Sequence, residues 1–326
     1  MSERTERPKR AWAKFLALVV ALAMVPFLRP PPYITHVLIL VLLFAYLGTA
    51  WNLIGGYGGQ LSLGHGAFFG LGAYASTLLY LNYGLSPWMG MAIAAGLGAG
   101  SAALIGYPCF RFGLKGPFFA LATLAFGLIV VELLTAFREV TGGSLGIFPP
   151  YLGNAPHLFQ FAGKEPYYLI ALVLWASAVL LVRALRKTRY YLVAIREDEE
   201  AAAALGVPVR NYKLLAAVIS GALSGIGGTF YAQYFAYINP ESAAGLELSV
   251  EILVVAIFGG MYGLMGPTLG SAILTPMSEL LRIWLGGTYL GVHLMVYGLL
   301  LILVIIFMPA GVLGKLEEIL RRRLEF

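Results

Sequence analysis

Apolar residues in this chain come in long blocks, broken by short polar or glycine-rich stretches. A helix needs about 20 residues to cross a hydrocarbon core of about 30 Å. Ten blocks approach or reach that length: 12–28, 33–54, 66–83, 87–107, 117–137, 166–185, 214–238, 250–265, 267–285 and 290–307. The pattern predicts an all-α polytopic membrane protein with about ten transmembrane helices. Basic Arg7-Pro-Lys-Arg10 precedes the first block. A cleaved signal peptide and a signal anchor both fit that arrangement. In the tail 315–326, Leu316, Ile319, Leu320 and Leu324 fall on one helical face. An amphipathic helix lying at the interface suits this spacing, and so does a frayed cationic tail.

Two blocks are broken by glycines. The first break reads Ile54-Gly-Gly-Tyr-Gly-Gly-Gln-Leu-Ser-Leu-Gly-His-Gly66. The second reads Phe258-Gly-Gly-Met-Tyr-Gly-Leu-Met-Gly-Pro-Thr-Leu-Gly270. Non-helical backbone at membrane depth is tolerated only when it is buried in protein or lines a wet cavity. Paired interruptions in two halves of a chain point to a transport site. Gln60, Ser62 and His65 are polar groups that plain close packing would not require. With Asn52 and, in the fifth block, Thr123, they are the candidate path-lining residues. Gly96/Gly100 and Gly221/Gly225 have the small-xxx-small spacing of closely packed helices.

One charged island, 183–213, separates the sixth and seventh blocks. Its centre is Arg196-Glu-Asp-Glu-Glu-Ala-Ala-Ala-Ala-Leu-Gly206-Val-Pro208. The acidic residues Glu197, Asp198, Glu199 and Glu200 complement the positive end of a helix. Ala201, Ala202 and the two alanines after them are strong helix formers, and Gly206 and Pro208 stop the run. The spacing predicts a short helix over 198–205. So short a helix is marginal alone in water, so it is expected to serve as a docking element.

The chain has 326 residues, 60% hydrophobic and 12% charged, against about 45–50% and about 25% in soluble domains. The net charge of +6 does not indicate nucleic acid, because the cations sit in short segments between blocks. With the N-terminus inside and ten alternating spans, 18 of the 22 Lys and Arg fall on the inner side. Only Arg29, Arg138, Lys164 and Arg282 fall outside. The positive-inside rule therefore predicts both termini and the island in the cytoplasm.

No Gly-x-x-x-x-Gly-Lys-Ser/Thr loop is present, so ATP hydrolysis by this chain is not expected. His36, His65, His157 and His293 lie far apart, none at metal-ligand spacing, and the lone Cys109 excludes an internal disulfide. No catalytic set or cofactor motif favours a membrane enzyme. Glu132, Glu251 and Glu279 lie within blocks, toward their outer ends, and Arg282 follows Glu279 by three residues. Carboxylates are thus scarce at the centre of the blocks, which disfavours an ion-coupled secondary transporter.

Five stretches together carry a family resemblance. They are Asn52-Leu-Ile-Gly-Gly-Tyr-Gly-Gly-Gln-Leu-Ser-Leu-Gly-His-Gly-Ala-Phe-Phe-Gly-Leu-Gly-Ala-Tyr74, Gly116-Pro-Phe-Phe-Ala-Leu-Ala-Thr-Leu-Ala-Phe-Gly127, Thr141-Gly-Gly-Ser-Leu-Gly146, the island, and Ser220-Gly-Ala-Leu-Ser-Gly-Ile-Gly-Gly-Thr-Phe-Tyr-Ala232. In that order they resemble the permease subunits of bacterial ABC importers for branched-chain amino acids, the LivM type. The resemblance implies a single transmembrane permease domain over 1–326 in the bacterial inner membrane. It implies that about 186–213 is the cytoplasmic coupling segment. There Glu200-Ala201-Ala202-x-x-x-Gly206 matches the Glu-Ala-Ala…Gly pattern of ABC importers. The acidic cluster is denser than that pattern requires. The implied partners are two ATPase subunits that bind ATP and Mg, a second, LivH-type permease, and an extracytoplasmic solute-binding protein. Urea and short amides are carried by importers with the same subunit type, so the substrate stays open at this point.

Overall fold

The computed structural model describes residues 3–285 together with Gly298. The tenth block, 290–307, and the tail 315–326 lie outside the described residues. Helices run in the order α1 (Glu3–Ala23), α2 (Pro32–Asn52), α3 (His65–Tyr83), α4 (Pro87–Arg111), α5 (Pro117–Ala136), α6 (Arg138–Thr141) and α7 (Glu165–Ala184). They continue with α8 (Arg186–Glu197), α9 (Glu199–Ala204), α10 (Val209–Phe235), α11 (Pro240–Ala244), α12 (Leu246–Gly259) and α13 (Gly266–Leu285). No named strand occurs among the described residues. Proline stands in the first turn of α2, α4, α5 and α7, where its fixed φ suits helix entry and its missing N–H costs nothing.

A helix occupies each of the nine expected blocks within the described region. Among the described residues, six helical segments are both long and apolar enough to cross a membrane: Pro32–Tyr57, Pro87–Arg111, Pro117–Ala136, Glu165–Ala184, Val209–Phe235 and Pro240–Gly259. One boundary differs clearly from expectation. The eighth block was expected at 250–265, but its helix is α12, which ends at Gly259. Gly260 has φ +116 and turns the chain out of the helix. Met261, Leu264 and Met265 are apolar yet lie in the following loop, packed against the core, so hydropathy alone misplaced the end.

The core forms around α2, whose span is 83% buried. Trp51 and Tyr46 are fully enclosed there, and the Tyr46 hydroxyl donates to the Leu223 carbonyl at 2.7 Å. α10 packs most extensively on α4. The seam on α4 is Ala94, Gly98 and Ala102, four residues apart, which meets Gly221 and Gly225 of α10. A Cβ on Gly98 would strike the Gly221 carbonyl oxygen. The small-residue spacing on α10 therefore does pack helices, but Gly96 and Gly100 do not take part: no atom stands within 4 Å of a Cβ on either. They lie on the other side of α4, 100° per residue away from the seam.

Connections segregate to two ends of the bundle. One end gathers the first break, the α4–α5 turn, α8, α9 and the second break, as the contacts of Arg196 and the lining of the cleft below show. The other gathers 84–86, 137–164 and 236–239, held by Trp88 Nε1 donating to the Pro156 carbonyl and by the Ile147–Ile238 bridge. This is the grouping that alternating spans require.

Candidate functional site

The island folds as two helices, not one. α8 buries Thr188, Leu192 and Ile195 at helical spacing and leaves Arg186 and Lys187 exposed. Asp198 then leaves the helix, with φ −155 and ψ 108, and caps α9: its Oδ1 accepts from the Glu200 N–H at 3.0 Å and the Ala201 N–H at 2.9 Å. Gly206 closes α9 with φ +83, and the Val207 N–H returns to the Ala202 carbonyl at 3.1 Å. The predicted helix over 198–205 is thus present with both caps. Of its expected docking residues, Glu197, Asp198, Glu200, Ala201 and Gly206 are exposed. Ala202 is buried, and Glu199 turns back to the Lys213 ammonium at 2.7 Å.

The first break begins where α2 widens into a single π-turn at Leu53–Tyr57. Irregular chain follows to Gly64, and it is hydrogen-bonded from three helices. The Trp51 Nε1 donates to the Ser62 carbonyl, the Leu63 N–H to Thr123 Oγ1, and the Gly66 N–H to Ser249 Oγ, at 2.9, 3.0 and 2.8 Å. His65 bonds through both ring nitrogens, to Ser62 Oγ at 3.1 Å and to Ser220 Oγ at 2.7 Å, and Ser220 donates on to the Ala50 carbonyl at 2.6 Å.

The five expected path residues are all buried, and they form three groups. Ser62, His65 and Thr123 surround one enclosed cavity of about 10 Å³, closed by Ile54, Phe68 and Phe119. Asn52 faces the second break, where its Nδ2 donates to the Gly263 carbonyl at 3.2 Å and its Oδ1 has no partner among the described residues. Gln60 lines an open cleft of about 410 Å³ with Gly59, Lys115, Glu197 and Glu200. Its Oε1 is also without a partner among the described residues. The first break therefore joins the bundle interior to the surface that carries α9.

Sequence reasoning missed the side chains that tie these parts together. Arg196 donates to the Gly56 carbonyl at 3.0 Å and lies 4.3 Å over the Tyr262 ring. Arg189 donates to the Tyr57 hydroxyl at 3.3 Å. Tyr57 lies 132 residues from Arg189 and Gly56 lies 140 residues from Arg196, and Tyr262 is also distant, so no local pattern announces them. The Glu279–Arg282 pair, which is local, was legible and is present at 3.0 Å.

Residues 33–305 match the family described as the permease component of branched-chain amino acid transport systems. The chain belongs to this family. It is 32% identical over 298 residues to the high-affinity branched-chain amino acid transport permease LivM of Escherichia coli K12, covering 84% of this chain and 68% of that one. LivM of Salmonella typhimurium is 31% identical over the same share. A probable LivH permease of Methanocaldococcus jannaschii is 24% identical, covering 79% of this chain and 84% of that protein. Among solved structures, a chain of PsaBC from Streptococcus pneumoniae in complex with Fab has a TM-score of 0.50 at 18% identity. It covers 90% of this chain and 98% of that one, a likeness of fold alone. The LivM-type resemblance read from the sequence is borne out. This permease is a transport component and a multi-pass protein of the bacterial inner membrane.

Proposed function

We propose that this permease is one of two unlike membrane subunits of an ATP-driven importer, and that it admits branched-chain amino acids handed over by a solute-binding protein. Two ATPase subunits hold ATP and Mg, and one of them docks on 197–206. The observation that carries this reading is α9 itself. It is firmly capped at both ends, yet it leaves Ala201, Ala203, Ala204 and Leu205 exposed, Leu205 at 86%. An apolar tip presented to water by a rigid short helix suits a partner's groove.

The path opens in this reading where the first break meets α5. Asn52, Gln60, Ser62, His65 and Thr123 become accessible as α9 moves, from Gln60 inward. The domain is the whole of 1–326, with ten spans and both termini in the cytoplasm. Aromatic and aliphatic surface is abundant, with 19 Phe and 19 Tyr, which suits a leucine-sized apolar side chain better than urea.

Reconstitution in proteoliposomes tests the reading. With ATPase subunits, second permease and binding protein present, labelled leucine should enter only when ATP is supplied. Leucine uptake driven by an ion gradient without ATP, or ATP-driven uptake of urea in place of leucine, would overturn it.

A further inference from the structure

The geometry points to Arg196 as a strut that carries movement of the docked α9 into both glycine breaks at once; this rests on the docking reading of α9.

Arg196 sits in the last turn of α8, two residues before the α9 cap at Asp198. Its side chain pairs with the carboxylate of the adjacent Glu197 and also reaches three places farther away. The guanidinium Nη1 donates to the Gly56 carbonyl in the π-turn of the first break. The guanidinium plane covers Tyr262, which lies in the second break. The aliphatic stem rests on Gly59, where a Cβ would come within 2.6 Å of Arg196 Cγ. The breaks are also tied to each other by Asn52, through the Gly263 carbonyl. On the other side of α9, Glu199 is fastened to the buried Lys213 at the start of α10. The docking helix is therefore held by two charged side chains, and one of them grips both breaks.

Arginine suits the task because its planar fork donates in several directions and stacks on an aromatic face together. A lysine could keep the bond to Gly56 but not the stacked contact with its fixed geometry. A simple fastener and a strut differ in one readout. Losing a fastener lowers the amount of folded complex and leaves the number of amino acids moved per ATP unchanged. Losing a strut lowers that ratio.

The test uses the reconstituted complex, with Cys109 replaced by serine and Ala203 by cysteine to allow cross-linking of α9 to the ATPase. R196Q should retain the cross-link and substrate-stimulated ATP hydrolysis while leucine moved per ATP falls about 10-fold, the scale of one lost charge-assisted hydrogen bond. R196K should recover part of the ratio. Y262L should lower it about 3-fold, the scale of one cation–π contact. R196Q with Y262L together should fall no further than R196Q alone, because both act through one contact. A cross-link in both proteins with an unchanged ratio in R196Q overturns the strut alone. No cross-link even with Arg196 in place overturns the docking reading and the strut with it. If R196Q fails to assemble, Y262L decides, since it leaves the bond to Gly56 intact: an unchanged ratio there overturns the proposal.

Discussion

At Gly206 a single backbone angle terminates the docking helix. The residue has φ +83, and nothing stands within 4 Å of where a Cβ would sit. Space is therefore not the constraint; conformation is. A β-branched residue in the left-handed region costs about 1–2 kcal/mol. G206V should insert normally, yet its substrate-stimulated ATP hydrolysis should drop severalfold, whereas G206N should be tolerated because asparagine enters that region readily. Full stimulation in G206V would count against α9 as the docking element. Lys213 presents the complementary case. Its side chain is 3% exposed and its partner Glu199 is 29% exposed. Removing the lysine leaves a half-buried carboxylate without its partner. Water reaches Glu199, so the loss should stay near about 1–2 kcal/mol rather than the larger cost of a deeply buried pair. Thermal unfolding in detergent should show K213M less stable, with E199Q in the same chain restoring part of the loss.

Among the elements, the α4–α10 seam and the first break behave oppositely to substitution. The seam is close-packed backbone on backbone, with Gly98 against the Gly221 carbonyl. G98V has no flexible neighbour to displace, so the helices must part, and folded protein should be lost. G96V and G100V, on the open side of the same helix, should fold normally; comparison of detergent-soluble yields checks the contrast. Around Ser62, His65 and Thr123 the break is hydrogen-bonded and enclosed around a cavity too small for more than about one water. Single cysteines at Gln60, Ser62, His65 and Thr123, with Cys109 replaced, should therefore react in sequence. Gln60, on the open cleft, should label with a small water-soluble thiol reagent in every nucleotide state. The other three should label only when the transport cycle opens the break. If none of the four is labelled in any state, the proposed path is wrong.

For the whole molecule, the outward faces decide what it assembles with. α4 and α5 are apolar enough to span, yet only 28% of each span is buried. α5 packs through Phe119, Ala120, Thr123, Val130 and Leu134 and turns Phe118, Leu121, Leu128, Ile129 and Leu133 outward. Lipid covers such faces, and so can a second bundle. The packing of Gly221 and Gly225 inside the chain removes them as a docking row for that bundle; Gly96 and Gly100 stay available. Reconstitution without the second, LivH-type permease should abolish ATP-driven uptake. Undiminished uptake from a complex with two copies of this chain would overturn the unlike pairing and leave the transport reading standing.

What the sequence settled by itself were properties set by near neighbours in the chain. Apolar runs are local, so a helix lies in each of the nine apolar blocks among the described residues. The alanine run and Gly206 act on the residues beside them, so α9 and its stop were legible, and the Glu279–Arg282 pair followed from one helical turn. The failures share a cause. Met261 to Met265 read as membrane helix because hydropathy registers apolarity and not the turn that Gly260 imposes. The bonds that Thr123 and Ser249 accept from the Leu63 and Gly66 N–H groups were not legible either, because each partner lies far away along the chain. Which glycines pack, which carboxylate Lys213 meets, and that Arg196 reaches Gly56 and Tyr262 are facts about partners distant along the chain. Only the folding of α8 back against both breaks could decide them, because a charge or a glycine carries no mark of what tertiary packing will set beside it.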